Sequence, residues 1–468
     1  MVDQLDLGQL GFAMPQATEG RPPYAPSLLL KIWLYGYLHG IRSTRQIERA
    51  CREQIALIWL SGMLAPDHNS LWRFWRDNKK QIGALFNKSI SLAMEAGLVG
   101  VVVQALDGTK IKAASSSQTG WSKEYMQKLL VALEEEIKKA EEQIEEEGPG
   151  GEGPRYKLPE KLEDKQALRE VVKSGLAKLE QDGRQHYHPG EPQAHRMKCE
   201  GTKPFGYNAQ AVVDAGGIVV AAAVVTEETD RHQLVTMVEQ AKVNLGSQGE
   251  KVVTVADGGY GTGEQVAQAE EKKLNVLVRP CGTAKPDDRY DSSHFRYDAA
   301  PKTLACPEGQ MLEFAREAQQ KGQTVQVYKC YKFDCPVRAH CTKDKKGRKS
   351  VEVWSHTPAV QAMRDRLKQP HEEALLKKRS QIVERHFGHI KEHDRFRRWT
   401  VRGLANVQAQ WALINLTINL RALYKNWLTK RPTCSGGPNP SKTAQSGSLR
   451  RRTRRHVLER CCRRKLWH

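Results

Sequence analysis

The chain has 468 residues, enough for two or three domains with a substantial core. Lys and Arg outnumber Asp and Glu by 74 to 54, a formal net charge of +20 with a pI near 9.5, which points to a polyanionic partner, most simply nucleic acid. No apolar run reaches the roughly 18 residues of a membrane span, and the start lacks the basic-then-apolar pattern of a secretory signal, so a membrane protein is excluded and a cytoplasmic setting is expected. Ten cysteines there stay mostly thiols, so clustered ones are read as metal ligands before disulfides.

Residues 21–61 read as helical, with Pro26 at a helix start and Leu29, Leu30, Trp33, Leu34, Tyr37 and Leu38 forming an apolar stripe. Ser43 is placed to cap a second helix through Ile47, Ala50 and Cys51. After the break at 66–70, Ser70 is expected to cap a third helix over 71–82, in which Arg73, Arg76, Lys79 and Lys80 interleave with Trp72 and Trp75. Such a helix suits DNA backbone contact through Arg73 and Arg76; a helical bundle with a solvated basic face is the alternative. Residues 1–95 are assigned to an N-terminal helical DNA-binding domain.

Residues 101–114 form a β-strand whose apolar run ends at Leu106-Asp107-Gly108, followed by Lys110 and Lys112. Residues 121–183 carry apolar side chains at spacings of three and four on either side of the Gly-Pro break at 148–154, the pattern of an antiparallel helical hairpin. Strand character resumes over 205–225 as a hairpin around Asp214-Ala215-Gly216-Gly217. Thr229-Asp230-Arg231-His232 then leads into a helix, and the short strand at 251–256 ends in Asp257-Gly258-Gly259. A further buried strand at 275–278 completes a pattern of strands with connecting helices, an α/β core.

Two strands therefore end in Asp-Gly, each carrying a carboxylate at its exit, with a glycine that would leave room for a ligand. A later amphipathic helix, 380–391, adds Glu384, with Lys391 seven residues on along the same face and Gly388 between them. Three clustered carboxylates repel unless cations neutralise them, and hard oxygen ligands suit Mg²⁺ or Mn²⁺. Two such ions can activate a nucleophile and stabilise a leaving oxygen in phosphodiester chemistry.

On these residues the chain resembles bacterial insertion-sequence transposases of the Asp-Asp-Glu class, and more narrowly the IS-eleven-eighty-two type. The likeness covers most of 21–424. It is carried by LLLKIWLYGYLHGIRSTRQIERAC, PDHNSLWRFW, ALDGTKIKA, ADGGYGTGEQ, IVERHFGHIK and RFRRWTVRGLANVQAQWALINLTINLRAL. The resemblance implies an RNase H-like mixed sheet with the N-terminal helical domain, a helical-hairpin insertion and a small Cys-rich β insertion. It implies that Asp107, Asp257 and Glu384 hold Mg²⁺ or Mn²⁺ and that Lys391 helps hold DNA; Lys110 is a further candidate contact. In the related signature Tyr-x2-Arg-x3-Glu-x6-Lys, the Tyr position is Lys377 and the Arg position is Ser380. Arg379, one residue early, is carried over as a DNA contact, although one helical residue is an offset of about 100° from the signature's face. The implied reaction is hydrolysis at the ends of a mobile element, followed by attack of the freed 3′-OH on target DNA. The implied partners are double-stranded DNA, at the terminal inverted repeats and the target, and a second copy in a synaptic homodimer. A nuclease of the same fold without transposition, and an inactive DNA-binding protein, are the competing functions.

The same reading divides the chain into a catalytic core over 96–120 and 200–290, the hairpin insertion over 121–199, a Cys-rich insertion over 291–355, core C-terminal helices over 356–428 and a basic tail over 429–468. Within the insertion, Cys306, Cys330, Cys335 and Cys341 are four soft ligands in about 36 residues, the makings of a structural tetrahedral Zn²⁺ site. His340 is a substitute ligand, and four reduced thiols in a loop are the alternative. The tail turns to Pro, Gly, Ser and Arg, with ten Lys/Arg and one Glu in 441–468.

Overall fold

A computed structural model describes residues 2–14, 23–146, 160–281, 290–320, 322–332, 334–342, 344 and 348–430. Residues 1–426 form one compact unit; of the other, 427–468, residues 427–430 are described, so the reading of the tail lies largely outside the described residues.

Helices α1 (Pro26–Leu38), α2 (Thr44–Glu53), α3 (Ile55–Leu60) and α4 (His68–Glu95) open the chain. Ser43 makes no side-chain capping bond to α2. Helix α4 is capped by Asp67 rather than Ser70: its carboxylate accepts from the amides of Asn69 at 2.8 Å and Ser70 at 2.9 Å, so the helix starts three residues before the expected Leu71. It also runs 13 residues past the expected end at Ile82, because Leu85, Phe86, Ile90 and Ala93 continue its buried stripe.

Strand β1 (Val103–Lys112) follows, then the short β2 (Trp121–Ser122), α5 (Lys123–Glu146), α6 (Glu160–Gln181) and β3 (His186–Tyr187). Helices α5 and α6 pack through Met126, Leu133, Val172 and Leu179, and the β2–β3 pair closes their base. The Gly-Pro break between these helices lies outside the described residues.

The main sheet adds β4 (His195–Arg196), β5 (Phe205–Asp214), β6 (Val219–Val225), then α7 (Leu234–Leu245), β7 (Val253–Ala256), α8 (Gly263–Glu271) and β8 (Val276–Val278). Its order is β4-β5-β1-β7-β8, with β6 paired to β5. Strands β1, β5 and β6 are antiparallel, whereas β7 and β8 run parallel to β1. The hairpin corner at 214–217 is built by Asp214, whose carboxylate accepts from the amides of Gly100 and Ile218, both at 2.6 Å.

A second, five-stranded sheet is an antiparallel meander of β9 (Arg296–Asp298), β10 (Thr303–Ala305), β11 (Met311–Gln320), β12 (Gln323–Cys330) and, after the short α9 (Arg338–Cys341), β13 (Lys349–Val353). It holds its own core of Phe295, Leu304, Leu312, Tyr328, Val351 and Val353. Helices α10 (Thr357–Leu367), α11 (Pro370–Gly388) and α12 (Leu404–Lys430) return to the main sheet, and a π-helical turn at His389–His393 ends α11. No helix among the described residues is long and apolar enough to cross a membrane.

Candidate active site

The two Asp-Gly pairs meet, although only one of them ends a strand. Strands β1 and β7 are parallel neighbours with Leu106 opposite Ala256, so Asp107 and Asp257 are the next residues along the two; Asp107 stays inside β1, which runs on to Lys112 against β5, whereas Asp257 follows the last residue of β7. Asp107 is half-buried at 26% side-chain exposure, and Asp257 is open to solvent at 61%. Burial pushes the Asp107 carboxyl up from its ordinary range, with the Asp257 and Asp230 charges adding to that; the Gly108 amide, donating at 2.8 Å, and Arg379 pull the other way.

Arg379 stands between the two aspartates. Its Nη1 lies 2.9 Å from Asp107 Oδ2 and its Nη2 lies 3.6 Å from Asp257 Oδ1. The one-residue offset from the signature does not turn it away. Leu376, Arg379, Val383, His386 and Ile390 recur at three and four along α11, and this stripe packs on β1 and β7. Arg379 is therefore the cation aimed at the two aspartates.

Glu384 comes one residue after the fully buried Val383, about 100° round the helix, and faces solvent. The structure brings Asp107 and Asp257 together with Arg379 and leaves Glu384 outside that group. Among the described residues, the set of three metal-ligand atoms all within 4.8 Å of one another is His389, His393 and Asp394, and a guanidinium already fills it. Arg421 donates to His389 Nε2 at 2.7 Å and to both Asp394 oxygens at 3.0 and 3.1 Å.

The basic candidates scatter. Lys391 lies in the π-helical turn, where the helix register changes, so it does not simply repeat the face of Glu384. Its charge is felt by Cys199, together with those of Lys112 and Arg397, toward the far end of β1. Lys110 gives its ammonium to Asp230 at 2.9 Å. Arg73 and Arg76 sit on the exposed face of α4, where Arg76 pairs with Asp77 at 2.8 Å, while Trp75 is core and packs on Trp33. A Cβ at Gly388 would meet nothing within 4 Å, so no other backbone among the described residues uses that opening.

The four cysteines converge. Cys306, Cys330, Cys335 and Cys341 line one cavity of about 30 Å³. The Gln310 amide points at Cys306 Sγ from 3.3 Å across a turn that Gly309 makes with φ +73°. Burial pushes the Cys341 thiol up, and the other three sulfurs add to it. The four sulfurs share one cavity, but no three of them lie within 4.8 Å of one another, wider than a closed tetrahedral metal site requires.

Sequence reasoning missed Asp230, Asn208, Gln210 and Tyr260. The Tyr260 hydroxyl donates to Gln210 Oε1, and Gln210 Nε2 donates to Asp230 Oδ1 at 2.7 Å. Asn208 Nδ2 donates to the same oxygen at 2.7 Å. Polar residues at 208 and 210 in a strand buried at every position were the available signal, since such groups need named partners.

Residues 1–77 match the family described as "Transposase domain (DUF772)", and residues 305–424 match the one described as "Transposase DDE domain". Two stretches of the chain are thus similar to transposase domains, the second of them of the DDE kind. No curated protein matches it. The transposase matches cover α1–α3 with Arg73 and Arg76 at one end, and the cysteines, Arg379, Glu384 and Lys391 at the other; Asp107 and Asp257 lie between them. These domains imply a DNA-processing enzyme that uses a divalent metal, with DNA as its partner.

Proposed function

We propose that the protein is a DDE transposase that cuts DNA at the ends of an insertion sequence and joins the freed 3′-OH to target DNA. The observation that carries this reading is the pair Asp107 and Asp257, set at neighbouring positions of the adjacent parallel strands β1 and β7, the second just past the end of β7, and bridged by one cation, Arg379. Two carboxylates converging on a single positive charge also suit a divalent ion, Mg²⁺ or Mn²⁺. When bound, such an ion activates water and then the 3′-OH and neutralises charge at the scissile phosphate. Asp107 and Asp257 are the residues that would hold it. Glu384, on the helix that bears Arg379 and inside the matched 305–424, is assigned as the third acid.

The strand order β6-β5-β1-β7-β8, with three antiparallel strands followed by two parallel ones, supports an RNase H-like core. The helices up to Glu95 are assigned to binding DNA through Arg73 and Arg76, and the cysteine cavity to one structural Zn²⁺. Lys391 is placed on the DNA backbone, with a homodimer holding two element ends together. The charge of +20 supports a DNA partner.

The test uses a DNA fragment bearing the inverted repeats that flank the coding region. Asp257→Asn is expected to abolish cleavage and strand transfer while DNA binding by mobility shift persists. Loss of both would make Asp257 a structural residue, and cleavage without joining would favour a nuclease.

A further inference from the structure

The aspartate pair needs a fixed spacing, yet its two members sit on separate strands, and Asp257 stands at the start of a short turn, Gly258–Tyr260. A buried polar relay ties that turn to the strand of Asp107. Tyr260, 1% exposed, ends the turn and donates its hydroxyl to Gln210 on β5. Gln210 is the register partner of Gly108, the residue after Asp107, and is fully buried. Its amide donates to Asp230, which also takes Asn208 and the Lys110 ammonium. A second tie runs beside the first, where Thr262, which caps α8 after the turn, donates to the Arg231 carbonyl at 3.3 Å.

We propose that Asp230 is a positioning residue of the acid site, acting through Gln210 and Tyr260 to hold the Asp257 turn against the Asp107 strand. Asp230 does not serve as a ligand, because its two oxygens are taken by three donors: Asn208 and Gln210 on Oδ1, and Lys110 on Oδ2. Its carboxylate is the acceptor that orients the Gln210 amide. With the amide nitrogen turned to Asp230, the amide oxygen faces the Tyr260 hydroxyl, and the tyrosine's position fixes the turn. Burial pushes the Tyr260 phenol well up, so the hydroxyl keeps its proton and donates. Gln210 Nε2 also donates to Asn208 Oδ1 at 3.0 Å, so without an acceptor at 230 the amide keeps only the longer of its two bonds and the hold on the turn loosens.

This inference rests on the reading of Asp107 and Asp257 as a cation-binding pair, and the experiment separates the two. Mn²⁺ binding to the purified full chain is measured by titration calorimetry without DNA, together with thermal melting. In the wild type, Asp257→Asn is expected to remove the binding; if it does not, the acid-pair reading fails. Given that loss, Asp230→Leu, which removes the acceptor at near-constant size, and Tyr260→Phe are each expected to weaken Mn²⁺ about tenfold, the usual effect of removing a group that orients a ligand. The double variant is expected to weaken it little more than either single change, since both act through Gln210. Tyr260→Phe removes one hydroxyl and leaves the ring, so it carries the test even if Asp230→Leu does not fold. Unchanged Mn²⁺ affinity in a variant that merely melts earlier would overturn the proposal, as would additive losses.

Discussion

A methyl group at position 108 has nowhere to go. A Cβ there would stand 2.8 Å from Asp230 Oδ1 and 3.0 Å from Asn208 Oδ1, with the Gln210 amide nitrogen closer still. The glycine after Asp107 therefore makes room for the chain's own polar relay rather than for a ligand, whereas Gly258, after Asp257, has only the Arg279 carbonyl and side chain near it, beyond 3.5 Å. Gly108→Ala is expected to cost about 1–3 kcal/mol in denaturant unfolding through overpacking, and to weaken Mn²⁺ binding as Tyr260→Phe does. Unfolding at the wild-type midpoint would show that the relay yields freely. The Asp257 carboxylate was legible, since the apolar run before it ends where β7 ends; Asp107 was found by the same rule although β1 runs on to Lys112, because the polar half of that strand still pairs with β5. The reason for the glycine was not legible, because it depends on β1 lying opposite β5, about a hundred residues away, in one register.

At the scale of elements, periodicity located the helices and strands but not their ends or their neighbours. Helix α4 extends as far as its buried stripe does, and its start belongs to Asp67, a better-placed acceptor than Ser70. In α11 the same arithmetic that put Glu384 and Lys391 on one face assumed an unbroken α-helix; the π-helical turn from His389 breaks that count. It also misjudged Arg379, whose neighbours at three and four residues are core side chains. Tyr328 is 1% exposed and belongs to the core of the second sheet. That sheet covers few apolar side chains, six in its buried core, so a metal is well placed to complete it. The purified protein is expected to carry one Zn²⁺ per chain by atomic emission. Cys335→Ser is expected to lose it and to expose 290–354 to proteolysis while α4 and the main sheet stay protected. A wild type free of metal, with a protease-resistant insert, would remove the metal from this reading.

Across the unit formed by residues 1–426, the first four helices are not a separable bundle. One continuous hydrophobic core runs from Val2 through α1 and α4 into the main sheet and α12. Polar contacts stitch the same boundary: Gln410 donates to the Tyr37 hydroxyl at 2.7 Å, and Arg421 donates to the Leu38 carbonyl at 2.7 Å. Asn419, fully buried, accepts from the Val219 amide at 2.8 Å, donates to the Val219 carbonyl at 2.9 Å and reaches Ser89 of α4 at 3.1 Å. One side chain thus satisfies the start of β6 and joins it to the N-terminal helices. Composition suggested separate domains because the helical and strand patterns change near residue 95, but pattern says nothing about which faces meet. Removing the amide leaves a buried backbone donor and acceptor without partners, a cost of about 1–3 kcal/mol. Asn419→Ala is therefore expected to lower the unfolding midpoint by that amount, with tryptophan fluorescence and far-ultraviolet dichroism still moving in a single shared transition. Hydrogen exchange is expected to speed up together in α4 and β6. If α4 keeps its protection while β6 loses it, the N-terminal helices fold on their own and the shared core does not bind them into one cooperative unit.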